Sequence, residues 1–306
     1  MNPLLTAATP IEPIPSLNAW RARHLTHFSH LAPMDQALHG GFAADRPAYA
    51  FAAGYQAAMY ALVPTLAADR VVCLAATEEG GAHPKAIATR LQAQADGTFA
   101  LQGSKRWVTA APIADILLVV ATEGRDERGR NRLRVVRVDA HAPGVCITQM
   151  PMTPFAPEMP HAELALNDVR VTAADVLPGD GYEQYVRPFR TIEDIFVHAA
   201  LLGFLIRVAR ERSFEPALVG QLLVLSETMR GLAARDPSHP ETHILLAGAL
   251  DFSRRCITDL ERAWGAKPDE LFAIWERDRP LLAVAERARA ARFATAWGRA
   301  TQVATG

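Results

Sequence analysis

Residues 71–178 contain six short runs rich in β-branched side chains, and this stretch constrains the fold more than any other. Gly, Pro, Asn and Asp separate the runs, as is typical of strands joined by turns. The intervening segments lack the helical crossovers that parallel strands need, so we expect an antiparallel sheet or a small barrel. The expected strands cover residues 71–75, 105–109, 116–122, 133–138, 145–149 and 162–166.

Helical patterns lie on both sides of this stretch. Residues 50–63 form an apolar segment of helical length that ends at Pro64. After residue 181 the chain contains four long amphipathic segments with proline-containing breaks, which favour a helix bundle. These segments cover residues 187–212, 217–235, 241–264 and 269–299, and we expect the last to be kinked or split at Pro280.

The order of these helical and strand-forming stretches predicts an α+β multi-domain protein. An N-terminal helical region occupies residues 1–70, and a central antiparallel β-barrel or sheet domain occupies residues 71–178. A C-terminal four-helix bundle occupies residues 179–306.

Composition excludes some classes of partner and compartment. The 306 residues carry a formal net charge of −1 and three widely spaced cysteines. This balance gives no reason to expect nucleic acid, and the cysteine spacing indicates a reducing compartment. The opening residues lack the basic segment of a secretory signal, and the longest apolar run, 195–206, is too short to cross a bilayer. We expect a cytoplasmic protein without membrane insertion.

One periodic set of histidines needs a separate interpretation. His24, His27 and His30 recur every three residues within the N-terminal helical region. Metal sites need tighter geometry and mixed ligands, so we expect these residues to form a polar helical face.

The β stretch also contains four short motifs that are specific in combination. They are Thr77-Glu78 before Gly80-Gly81, the strand Gly103-Ser104-Lys105-Arg106-Trp107-Val108-Thr109, the turn Pro143-Gly144-Val145, and the strand Leu166-Asn167-Asp168-Val169. Together they resemble the middle domain of the acyl-CoA dehydrogenases. The chain is identified as a shortened, divergent member of that superfamily.

The resemblance implies a flavin site on the β domain. Trp107 matches a tryptophan that lies against FAD, while Thr109 and Thr77 match two flavin-contacting threonines. Alternate residues on a strand share a face, so Trp107 and Thr109 are expected to point the same way. Gly80, Gly81 and His83 match the loop near the phosphate and thioester of the substrate. The resemblance also implies acyl-CoA or a related thioester as substrate, and a homodimer, a homotetramer or pairing with an acyl-CoA dehydrogenase paralogue.

The same resemblance implies a catalytic base near the C-terminus. Acyl-CoA dehydrogenation needs a carboxylate that removes the proton α to the thioester. Glu286 stands nine residues after Arg277, which matches the family spacing, although the surrounding motif differs. An exposed ion pair with Arg289 is the alternative interpretation of Glu286. Where many members carry an arginine near the active site, this chain has Asp194.

Three functional hypotheses stay open at the level of sequence. The first is an FAD-dependent dehydrogenase acting on a CH–CH group of an acyl thioester. The second is a non-catalytic subunit or binding protein of the same fold, which the altered glycine loop with Glu79 favours. The third is a flavin monooxygenase or oxidase of the same superfamily.

Overall fold

The computed structural model describes residues 3–5 and 11–303, which divide into two compact units. The sheet unit contains residues 62–153 and 159–188, and the helical unit contains the preceding helices, residues 154–158 and the chain from residue 189 onward. Residues 1, 2 and 6–10 of the opening segment, from which the absence of a secretory signal is predicted, lie outside the described residues. The division into three domains remains a prediction.

Three α-helices precede the sheet in the described part of the chain, and the starts of the first two follow ordinary capping rules. They are α1 (Leu17–Phe28), α2 (Pro33–Phe42) and α3 (Pro47–Leu62). The Ser16 hydroxyl caps α1 by accepting a hydrogen bond from the Ala19 amide at 3.2 Å. Pro33 occupies the first turn of α2, where its missing N–H is tolerated. The predicted helical segment at residues 50–63 corresponds to α3.

Five helices follow the sheet, and they correspond to the four predicted amphipathic segments. They are α4 (Arg187–Glu211), α5 (Pro216–Ala233), α6 (Pro240–Gly265), α7 (Glu270–Asp278) and α8 (Glu286–Val303). A 3-10 turn at Arg279–Leu282, which contains Pro280, separates α7 from α8. The expected break at Pro280 is therefore present. No described helix is long and apolar enough to cross a bilayer.

The backbones of α2 and α4 approach so closely that only glycine fits at one point of contact. A Cβ atom at Gly41 would lie 1.9 Å from the carbonyl oxygen of Ala200. Gly41 therefore allows the apolar face of α4, whose residues 199–202 are buried, to pack directly on α2.

The sheet contains seven strands, of which six were expected from sequence. They are β1 (Val72–Ala75), β2 (Arg90–Ala93), β3 (Phe99–Thr109), β4 (Ile116–Arg125), β5 (Asn131–Asp139), β6 (Val145–Gln149) and β7 (His161–Val171). The order is β1-β4-β2-β3-β7-β6, and β5 pairs with β4. The strand that the sequence did not reveal, β2, reads Arg-Leu-Gln-Ala and has no β-branched residue.

Two features of this sheet correct the prediction. The pairs β1/β4 and β2/β4 are parallel, so the sheet is mixed and not purely antiparallel. The β2–β3 hairpin serves as the connection between the parallel strands β1 and β4, and no helix is needed there. No pairing among the described strands joins β6 back to the opposite edge, so the sheet is a half-barrel and not a closed barrel.

Candidate functional site

A β-bulge in β3 brings Trp107 out of the sheet. Lys105 pairs with Leu164 of β7 and Val108 pairs with Ala162, so two residues of β3 oppose a single residue of β7. Trp107 adopts a φ of +57°, in the left-handed region that a bulky residue rarely occupies. Such a conformation costs about 1–3 kcal/mol and is typical of functional sites. Trp107 is 50% exposed.

Thr109 and His161 lie beside this indole. They face each other as the last residue of β3 and the first residue of β7. The rings of Trp107 and His161 meet edge to face with their centroids 5.7 Å apart. Val108, between Trp107 and Thr109, is buried, which leaves its two neighbours outside the core. His161 was not found from sequence, because only the strand register places it here.

Thr77 joins this group through the backbone of the bulge. The amide of Arg106 donates a hydrogen bond to the Thr77 carbonyl oxygen at 2.8 Å. Thr77 itself is partly exposed at the end of the β1 segment. We call Thr77, Trp107, Thr109 and His161, which these contacts of the bulge connect, the Trp107 ledge.

A buried ion pair lies directly behind the Trp107 ledge. The Nζ atom of Lys105 is 2.6 Å from Oε1 of Glu78, and the lysine side chain is fully buried. The Glu78 carboxylate also accepts hydrogen bonds from the Ala88 amide at 2.7 Å and from the Thr89 hydroxyl at 2.7 Å. Burial lowers the pKa of Lys105 to about 8, against the attraction of Glu78. Burial also opposes ionisation of Glu78, but Lys105 and the hydrogen bonds outweigh it and hold the Glu78 pKa below its usual value.

The loop after Thr77 forms a tight turn that is open to solvent. The amide of Gly81 donates to the Glu78 carbonyl at 2.9 Å, and the amide of Glu78 donates to the Gly81 carbonyl at 3.1 Å. Gly81 has a φ of +94° and Gly80 is exposed. His83 is also exposed, and its Nδ1 atom accepts a hydrogen bond from the Lys85 amide at 3.2 Å. This orientation leaves Nε2 of His83 directed away from that bond.

Glu286, the carboxylate expected to be the base, is the first residue of α8. Its side chain is 62% exposed, and the guanidinium group of Arg254 lies 3.7 Å from Oε1. Glu286 lines a cavity of about 700 Å³ in the helical unit, together with His198 and Arg289. An exposed carboxylate beside an arginine is not in the dry pocket in which a general base usually lies. The assignment of Glu286 as base remains a prediction.

A second carboxylate in the helical unit has a different environment. Burial raises the pKa of Glu193 on α4 to about 7, and the neighbouring Asp194 acts in the same direction. Asp194 is buried and forms ion pairs with Arg289, at 3.2 Å, and with Arg292, both on α8. The side chain of Glu193, a partly exposed residue, makes no hydrogen bond to another described residue. Asp194 could be noted from the sequence, whereas Glu193 could not, because no local pattern reveals the packing that raises its pKa.

Comparison with known proteins identifies the family of the sheet unit. Residues 73–169 match the family model of the acyl-CoA dehydrogenase middle domain, and these residues contain the Trp107 ledge and the Lys105–Glu78 pair. The match supports membership of the acyl-CoA dehydrogenase superfamily. A probable acyl-CoA dehydrogenase of Bacillus subtilis strain 168, YngJ, is 31% identical over 114 residues, or 37% of this chain. The match spans 28% of that relative's length.

Two solved structures share the fold of this chain over 92% of its residues. The FAD complex of PigA has a TM-score of 0.66 at 13% identity, and the match covers 92% of this chain and 89% of the other. The prolyl acyl carrier protein oxidase AnaB has a TM-score of 0.65 at 16% identity, with 92% and 90% covered. At these identities the likeness shows the fold alone.

Proposed function

We propose that this superfamily member is an FAD-dependent oxidoreductase that removes hydrogen across a CH–CH group of an acyl thioester. The observation that carries the proposal is the exposed indole of Trp107, presented at a strained bulge beside the partly exposed Thr77, Thr109 and His161. A strained residue with a large exposed ring is unfavourable for stability alone. A planar ligand that covers the ring accounts for both features.

The residues of the Trp107 ledge fit the flavin ring of FAD. The indole of Trp107 offers a flat apolar surface, and the hydroxyl groups of Thr77 and Thr109 can donate to or accept from the polar edge of the ring. When bound, FAD supplies the acceptor for the hydride that leaves the substrate. The fold shared with the PigA complex supports this cofactor.

The loop residues Gly80, Gly81 and His83 are the proposed contacts to the substrate thioester. The glycines allow a ligand to approach the backbone closely, because neither presents a side chain. Nothing lies within 4 Å of a Cβ atom built on Gly81. The exposed His83 offers a hydrogen-bond donor for a phosphate or carbonyl oxygen. This donor would offset the repulsion between the Glu79 carboxylate and a phosphate.

Two carboxylates compete for the role of base. A general base works best when its pKa is near the operating pH, and the environment of Glu193 supplies such a value. The family spacing supports Glu286, whose exposure does not. We therefore propose Glu193 as the group that accepts the α-proton, with Glu286 as the alternative.

The proposal also covers the molecule that carries the acyl group. Acyl-CoA is the expected substrate. The second candidate is an oxidase that passes electrons to oxygen and acts on a carrier-bound thioester, because the chain shares its fold with an acyl carrier protein oxidase. A homodimer or homotetramer, or pairing with an acyl-CoA dehydrogenase paralogue, and a cytoplasmic location complete the assignment. The three free cysteines agree with a reducing compartment.

Anaerobic mixing of the FAD-loaded protein with acyl-CoA thioesters of increasing chain length tests the reaction. A dehydrogenase loses its flavin absorbance in the presence of one of these substrates and recovers it with an artificial electron acceptor. Recovery with oxygen alone, together with consumption of oxygen, indicates the oxidase. Flavin that binds but is never bleached by any thioester contradicts both and favours the non-catalytic subunit.

A further inference from the structure

We propose that Lys105 and Glu78 are positioning residues whose buried ion pair holds Trp107 and Thr77 in the arrangement that binds flavin. The inference rests on the proposed function for its ligand, but the geometry of the Trp107 ledge can be tested without one. Neither residue contacts the exposed face of the ledge, so both act through their neighbours.

The pair links the two chain segments that supply the Trp107 ledge. Glu78 follows Thr77 directly, and Lys105 stands two residues before Trp107. The 2.6 Å contact between Lys105 and Glu78 therefore fixes the spacing between the two segments just behind the ledge. The hydrogen bond from the Arg106 amide to the Thr77 carbonyl, at 2.8 Å, is the second link between the same segments.

The carboxylate of Glu78 is anchored independently of the lysine. Its Oε2 atom accepts from the Ala88 amide at 2.7 Å, and its Oε1 atom accepts from the Thr89 amide at 3.1 Å and from the Thr89 hydroxyl at 2.7 Å. Gly103 of β3 permits this approach, because a Cβ atom there would lie 2.7 Å from Thr89. The position of the Glu78 carboxylate is therefore set by Ala88 and Thr89. Its ion pair with Lys105 holds the start of the bulge at that position.

The bulge needs such a constraint because its conformation is unfavourable by itself. Trp107 has a positive φ, and Arg106 and Trp107 together oppose one residue of β7. A regular β3 without the extra residue would turn Trp107 toward the opposite face of the sheet. A buried ion pair is often no more stabilising than an apolar pair of equal volume, whereas its directional contacts can specify a geometry. We infer that this specification is the role of Lys105.

Lys105→Met tests the inference, since methionine keeps the length of the side chain and removes the ammonium group. Lys85→Met is the matched control, because Lys85 is exposed in the same unit. All variants carry Trp297→Phe, which leaves Trp107 as the large exposed indole among the described tryptophans, since Trp20, Trp264 and Trp275 are buried. The measurements are the melting temperature, acrylamide quenching of tryptophan fluorescence and the FAD dissociation constant.

We expect Lys105→Met to change the quenching of Trp107 and to weaken FAD binding at least tenfold, whereas Lys85→Met changes neither. Glu78→Gln, which keeps the shape of the carboxylate, is expected to act in the same direction. It serves as the test if Lys105→Met does not fold. Unchanged quenching and unchanged FAD affinity in folded variants overturn the inference and leave the pair a purely structural feature. If the parent protein binds no FAD, the proposed function fails, while the quenching comparison still decides whether the pair positions Trp107.

Discussion

His161 meets Trp107 edge to face, with ring centroids 5.7 Å apart and an interplanar angle of 71°. The contact joins the first residue of β7 to the bulge of β3, two strands that pair along most of their length. It positions the indole against β7 while Trp107 remains 50% exposed. Burial lowers the pKa of His161, so the ring favours the neutral form beside the indole.

The exposed indole is the first target for mutation. Trp107→Ala should weaken FAD binding by roughly tenfold or more, because it removes the stacking surface and its apolar area. Trp297→Ala is the matched control, since Trp297 is 52% exposed and lies on α8 in the other unit. Fluorescence titration with FAD measures both. Equal affinities for the two variants would show that Trp107 does not contact flavin.

The identity of the base can be decided by comparing two conservative variants. Glu193→Gln should lower the rate of substrate-dependent flavin bleaching by about a hundred- to ten-thousandfold, the usual contribution of general base catalysis. Because the pKa of Glu193 is about 7, the wild-type rate should rise with pH through that value as the carboxyl loses its proton. Glu286→Gln should keep this pH profile. If Glu286→Gln abolishes bleaching and Glu193→Gln does not, the sequence-based assignment is correct.

His24 makes the helical unit sensitive to acid. The imidazole is buried between Trp20 and Phe28, and neither ring nitrogen has a hydrogen-bond partner among the described residues. Burial lowers its pKa from 6.5 to about 4. The unfolded chain therefore binds a proton in this interval that the folded chain does not, so stability present above pH 6.5 is lost as the pH falls toward 4.

The expected effect of His24 is a loss of about 3 kcal/mol of unfolding free energy across that interval. His24→Leu should flatten the pH dependence of urea unfolding, while His27→Gln, a change at an exposed position of the same helix, should leave it as in the wild type. A His24→Leu variant that remains as acid-sensitive as the wild type contradicts the burial argument.

The packing of α2 on α4 depends on the missing side chain of Gly41. Gly41→Ala should destabilise the protein by roughly 3 kcal/mol or more, because the added methyl group meets the Ala200 carbonyl, which is backbone and cannot rotate away. Gly220→Ala is the control, since nothing lies within 4 Å of a Cβ atom there and α5 should gain about 0.5–1 kcal/mol. Thermal unfolding of both variants measures the difference. A tolerated Gly41→Ala would show that the two helices are less closely packed.

Hydrophobic periodicity was sufficient to predict most of the elements of this fold, because six strands and the long C-terminal helices each carry a clear pattern. Periodicity did not predict which strands pair with one another or in which direction they run. The parallel pairing of β4 with β1 depends on the β2–β3 hairpin, and β2 itself has no β-branched residue. Of the three histidines expected on a polar helical face, only His27 lies on one, because His24 is buried and the exposed His30 follows the end of α1. Trp20 and Phe28, four residues on either side of His24, were the available signal of an apolar face.

Only part of the candidate site could be predicted from the sequence, because strand register and packing are not visible in a local pattern. Trp107, Thr109 and Thr77 could be proposed from motifs, because each stands in a recognisable segment. His161 becomes a neighbour of Trp107 only through the register of β3 with β7. The Lys105–Glu78 pair acquires its importance from burial, and Glu193 from the desolvation that raises its pKa, and no local pattern encodes either.

The visible absorption spectrum of the purified protein, recorded before and after incubation with FAD and removal of free cofactor, shows whether the Trp107 ledge binds flavin. We expect flavin bands that stay with the protein and that are lost, or strongly reduced, in the Trp107→Ala variant. A folded protein that stays colourless after incubation with FAD would contradict flavin binding at the Trp107 ledge.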